Sequence, residues 1–165
     1  MATKQTDTFF VTPFDRKLDV SSTVLLIILW LVAIGTFLYS PFIIPIHYNY
    51  KGVIDGYGSK WTILLLPLIS TLIFFGITVL IKRPHWLNYS IKITPENRDK
   101  QFAIACRMLR MLKLSTILVF LFITVITFLH IKKLASGLGW VLLPLVVFLV
   151  VVPVVVQLRQ SFINK

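Results

Sequence analysis

The sequence predicts an all-α integral membrane protein with four transmembrane helices and both termini in the cytoplasm, and three observations carry that reading. Hydrophobic residues make up 57% of the 165-residue chain and charged residues only 14%. A soluble fold of this length could not bury so much apolar surface. The Leu, Ile, Val and Phe gather into four runs free of Asp, Glu, Lys and Arg, at about 23–40, 61–81, 114–131 and 138–158. Each run suffices to cross roughly 30 Å of hydrocarbon at about 1.5 Å per helical residue. Finally, Lys and Arg are unevenly spread: 3 in the N-terminal tail, 8 between the second and third runs and 2 in the C-terminal tail, against 2 in each remaining loop. The positive-inside rule then sets the orientation, and it accounts for the net charge of +11 without a nucleic-acid partner.

Residues 1–22 are polar and of mixed charge, with Lys4, Arg16 and Lys17 set against Asp7, Asp15 and Asp19. They read as a cytoplasmic tail. The first apolar run has no small-residue cleavage pattern, so it reads as a retained helix and not as a signal peptide. In the second span Trp61 suits an interfacial anchor, and Pro67 and Gly76 are tolerated inside membrane helices. Between the second and third spans, Thr94, Pro95 and Glu96 form a helix start with Thr94 as N-cap and Pro95 in the first turn. From there Phe102, Ala105, Leu109 and Leu112 share one face, while Lys100, Arg107 and Arg110 share another. This amphipathic cytoplasmic helix either lies along the inner leaflet with its basic face to anionic headgroups or runs straight into the third span. A short connection through Ser136, Gly137 and Gly139 makes the third and fourth spans antiparallel neighbours. Pro144 and Pro153 predict a kink or local widening in the Val-rich fourth span, and residues 159–165 read as a short cytoplasmic tail.

Cys106, the sole cysteine, reads as a free and chemically ordinary thiol. The hydroxyls of Thr36, Ser70, Thr71, Thr78, Thr116, Thr124 and Thr127 read as internal donors to helix carbonyls. No Asp, Glu, Lys or Arg lies within the four runs, which argues against a pump or secondary transporter, because such proteins keep charges in the membrane for their work. No catalytic triad, phosphate loop or dinucleotide fingerprint is present, and no cofactor is implied.

The stretch Pro41–Trp61 is different in kind, being dense in Gly, Pro, Asn, Asp, His and Tyr. A strand over Ile44–Tyr50, a turn at Lys51 and Gly52, and Val53 and Ile54 leading to Asp55 and Gly56 predict a small hairpin over the extracytoplasmic mouth of the bundle. His47 and Asp55 would share that surface with His130 at the end of the third span. Two imidazoles and a carboxylate are candidate metal ligands, but no paired-His spacing accompanies them, and polar contacts that fix the loop or meet a ligand are the preferred reading.

Pro45, His47, Asn49, Gly52, Asp55, Gly56, Gly58 and Lys60, placed between two spans, resemble the signature of a bacterial membrane domain of unknown function. That domain also forms the N-terminal part of the immunity proteins that protect against the secreted sporulation-delaying toxic peptide. The resemblance covers about Leu25–Ile81, and the segment from Arg83 to Lys113 resembles single-domain members of the group. It implies a non-catalytic immunity or sensor protein of the bacterial inner membrane that meets a secreted peptide through Pro45, His47, Asn49, Gly52, Asp55, Gly56 and Lys60. Two alternatives stand beside it: an accessory subunit of a larger membrane complex, and a metal-dependent membrane enzyme or transporter built on His47, Asp55 and His130. The lipid bilayer is the predicted partner throughout. Four short spans bury little between themselves, which makes another membrane protein or a second copy of this chain a candidate partner as well.

Overall fold

A computed structural model describes residues 11–134 and 141–163. Four of its helices are long and apolar enough to cross a bilayer: Pro13–Tyr39, Lys60–Ile81, Arg98–Ile131 and Leu142–Ile163. This is the architecture of a multi-pass membrane protein, with lipid in place of a large soluble core. A two-stranded antiparallel hairpin joins the first two helices.

Helix α1 (Pro13–Tyr39) starts well before the apolar run, so its first turns belong to the stretch read as a tail. The cause is local. Thr12 caps the helix by accepting from the Asp15 amide, the Asp15 carboxylate accepts from the Thr12 amide in return, and Pro13 fills the first turn, where its missing N–H costs nothing.

The second span opens with a 3₁₀ turn over Lys60–Leu64 and continues as α2 (Leu65–Ile81). Pro67 has no N–H for the Ile63 carbonyl, so the chain enters the α-helix through tighter i→i+3 bonding. The linker that follows is folded by its own contacts. The Tyr89 hydroxyl donates to the Pro84 carbonyl at 2.8 Å, and the Tyr89 ring stacks on Phe102 with centroids 5.4 Å apart. Burial, with the Cys106 thiol beside it, pushes the Tyr89 phenol well up.

Helix α3 (Arg98–Ile131) is one continuous rod, which resolves the choice between a flat lead-in helix and a direct run into the third span. It begins a few residues after the Thr94 cap expected from the sequence. Asn97 instead ties the entry together, accepting from the Thr94 amide and donating to the Lys92 carbonyl. The two faces are also not divided as the pattern suggested. Arg110 and Lys113 join Phe102, Cys106 and Ile117 on the buried side, because α1 supplies carboxylates there.

The fourth span comprises α4 (Leu142–Val146), a π-helical stretch (Val147–Val151) and α5 (Val152–Ile163). The widening lies between its two prolines. Pro153 has no N–H to offer the Leu149 carbonyl four residues earlier, and the Ser115 hydroxyl of α3 donates to that carbonyl instead. The helix runs on to Ile163, past the start of the expected tail. Residues 138–140 of the predicted span and the 136–139 connection lie outside the described residues.

Helix α3 is the hub, packed against α1, α2 and α5. Small and hydroxylated residues sit at the contacts: Ser22, Ala33, Thr36, Ser70 and Thr124 are fully covered, beside Leu29 and Ile117. That composition lets backbones approach closely where lipid removes any hydrophobic gain from helix pairing. The hydroxyls of Thr36, Thr71, Thr78, Thr116 and Thr124 donate to carbonyls four residues back. Thr71 also accepts from the Trp30 indole, linking α2 to α1. The fourth span is peripheral, with 6% of its most apolar window buried against 22% for α1.

Candidate functional site: a cleft under the hairpin

Strands β1 (Ile43–Tyr48) and β2 (Ile54–Ser59) pair antiparallel from Ile43 with Ser59 to Tyr48 with Ile54. The second strand is longer than the sequence suggested and takes in Asp55 through Ser59. Asn49 builds the turn: its side-chain oxygen accepts from the amides of Lys51 and Val53, and its carbonyl accepts from Gly52. Gly52 sits at φ 74°, a conformation that a side chain would strain.

The register is irregular on both sides of His47. Such bulges re-aim side chains. Gly56 lies opposite His47, and a Cβ there would come within 2.9 Å of the His47 Cβ. The glycine is therefore the space into which His47 fits. Its Nδ1 lies 2.5 Å from Asp55 Oδ1. A carboxylate oxygen only accepts, so Nδ1 carries the proton and Nε2 is left uncommitted. The pair is open, with the His47 side chain 70% exposed. Pairs this exposed add little to stability.

Beneath β1 runs a cleft of about 280 Å³ between the hairpin, the head of the second span and α3. Ile63, Leu66 and Ile123 supply apolar wall, and His47, Tyr48, Thr62 and Thr127 supply polar groups. The Tyr48 hydroxyl and Thr127 Oγ1 lie 3.3 Å apart, bracing the hairpin against α3. Burial pushes the Tyr48 phenol up, so it stays protonated at neutral pH as a hydrogen-bonding group. The volume lies just below the roughly 300 Å³ at which pockets for whole small molecules begin. An apolar side chain or a short stretch of hydrocarbon with a polar end fits it.

The seven candidate binding residues thus divide by role. Pro45 and His47 line the cleft, and Asp55 orients His47. Asn49, Gly52 and Gly56 shape the hairpin. Lys60 clamps it down: its amide donates to the Phe42 carbonyl at 2.8 Å, and its ammonium lies 4.6 Å from the centre of the Phe37 ring. Trp61 packs on the same ring, with centroids 4.6 Å apart. His130 does not join His47 and Asp55. Among the described residues no three His, Cys, Asp or Glu come together as a metal cage would require, and His130 Nδ1 is buried without a hydrogen-bond partner. Cys106 is buried, with Sγ 3.5 Å from the Ile81 carbonyl oxygen. The cleft residues absent from the motif are Ile44, Ile46, Tyr48, Thr62, Ile63, Leu66, Ile123 and Thr127. Of these only Tyr48 and Thr127 carried a signal, as polar groups beside His47 and one helical turn before His130.

The family model described as Domain of unknown function (DUF1648) matches residues 24–71. The chain is similar to that domain from the apolar part of α1 through the hairpin and into α2, which includes the cleft wall from Ile44 to Leu66. No curated protein and no solved structure matches the chain.

Proposed function

We propose that this chain is an immunity- or sensor-type protein of a bacterial inner membrane, which counters or detects a secreted peptide at its hairpin without catalysis. The observation that carries this is the cleft under β1, rimmed by an exposed His47–Asp55 pair and floored by apolar residues of two spans. An amphipathic peptide moving along the membrane surface offers the matching chemistry: an apolar side chain for the cleft and polar backbone for His47, Tyr48 and Thr127. In this reading the hairpin faces outward, both termini face the cytoplasm, and Pro45, His47, Asn49, Gly52, Asp55, Gly56 and Lys60 form or support the binding surface. The resemblance to the immunity branch supplies the class of ligand.

The test is survival and membrane potential of sensitive bacterial cells expressing the chain and challenged with secreted peptides. Protection by the wild-type chain that is lost in His47→Ala, with insertion unchanged, supports the reading. Protection that is equal in both removes the hairpin from the function.

An accessory-subunit role is the second reading, favoured by the sparsely covered fourth span. Reproducible co-purification of one membrane partner, abolished by polar substitutions at Val147 and Val151, would shift the weight to it.

A further inference from the structure

The end of the bundle opposite the hairpin is strongly basic, yet its cations are not equivalent. Arg107 is engaged by Asp15, while Arg110 and Lys113 are both engaged by Asp19. Arg98 lies near Asp99. Among the described residues at this end, Arg16, Lys17, Lys82, Arg83, Lys92, Lys100 and Arg159 are exposed and have no carboxylate within ion-pair distance.

Arg83 is the one of these seven that lies over an aromatic ring. Its guanidinium carbon lies 4.3 Å from the centre of the Trp86 ring. The turn that carries both residues is fixed by the Trp86 amide donating to the Arg83 carbonyl and the Leu87 amide donating to that of Pro84. Stacking on an aromatic face occupies the flat side of a guanidinium and leaves its N–H edge free for the bidentate geometry that phosphate prefers. Trp86 is 55% exposed, and Lys82 adds a second charge at the end of α2. That helix end, the negative pole of the α2 dipole, also favours cations. The second span closes at Ile81, so the clamp begins where hydrocarbon ends and lipid phosphates lie. An exposed Trp at that depth is the usual interfacial anchor.

We infer that Arg83, supported by Trp86 and joined by Lys82, forms a binding site for the phosphate of an anionic phospholipid in the leaflet at this end of the bundle. A zwitterionic lipid brings its own cation against Lys82 and Arg83 and fits less well. The site is independent of the cleft under the hairpin.

The experiment uses the purified full chain in micelles doped with phosphatidylglycerol or phosphatidylcholine, with native mass spectrometry counting retained lipid. The wild-type chain should retain the anionic lipid preferentially. Arg83→Gln should lower that preference roughly fivefold, the value of one basic residue at a membrane surface. Trp86→Ala keeps the charge but removes the support, and it should also lower the preference. Lys92→Gln removes one unpaired charge elsewhere in the linker and should leave the preference unchanged. Equal losses in Lys92→Gln and Arg83→Gln would overturn the clamp in favour of diffuse attraction, as would full retention in Trp86→Ala. Displacement of the lipid by millimolar inorganic phosphate would reassign the site to a free anion.

Discussion

Asp15 at the start of α1 accepts a hydrogen bond from Arg107 Nε at 2.9 Å, across 92 residues of sequence. Arg107 also reaches Thr12 Oγ1, the cap of the same helix, at 3.3 Å. One guanidinium therefore ties the helix start to the hub. One turn on, Asp19 takes Arg110 and Lys113 at 2.9 and 2.8 Å. Asp15 is only 4% exposed, so removing it alone strands a partly covered cation. Asp15→Ala should destabilise the chain by about 3 kcal/mol. Asp15→Ala with Arg107→Met should recover much of the loss. Unfolding of both variants in mixed detergent micelles measures the coupling, and additive losses would show that the pair is not coupled.

The hairpin register depends on the bare backbone of Gly56. Gly56→Ala should push His47 aside, weaken the pairing by about 1–3 kcal/mol and speed amide exchange at Tyr48 and Ile54. Gly35→Ala is the control. No atom lies within 4 Å of a Cβ placed there, and in mid-helix the change should be neutral or stabilising by up to about 1 kcal/mol. Equal effects at the two glycines would contradict the close-approach account.

Ser115 and Pro153 should behave as a compensating pair. Ser115→Ala leaves the Leu149 carbonyl without its hydroxyl donor and should cost about 1 kcal/mol. Adding Pro153→Ala restores an N–H to the fourth span and should erase that cost. Thermal unfolding in micelles reads both variants, and a Ser115→Ala loss that persists in the double variant would rule out compensation.

Much of the fold was legible in the sequence because lipid imposes a simple rule: unbroken apolar runs become spans. The turn was legible only in part: Gly52 marked it, whereas Asn49, whose side chain builds it, was read as part of the strand before it. What escaped were features made by partners distant in sequence. The Thr12, Pro13 and Asp15 start signal lay in a segment whose mixed charge reads as a tail until Arg107 is seen against it. The faces of α3 were misjudged for the same reason, because Arg110 and Lys113 are buried only when Asp19 is there to receive them. The cleft needs Ile123, which is indistinguishable in sequence from the rest of the third span.

Orientation can be read chemically. In a Cys106→Ser background, Tyr50→Cys at the hairpin tip should react with a membrane-impermeant maleimide in intact cells. Asp99→Cys at the start of α3 should react only after permeabilisation. The reverse pattern would place the hairpin inside the cell.

The most direct test of the central claim fills the cleft and leaves the His47–Asp55 pair intact. Survival of sensitive cells under peptide challenge is compared for Ile123→Trp, which occupies the cleft, and Leu72→Trp, at a site 66% exposed on α2. With both proteins inserted to wild-type levels, protection should be lost in Ile123→Trp and retained in Leu72→Trp. Full protection by Ile123→Trp would contradict the assignment of the cleft as the place where the ligand is met.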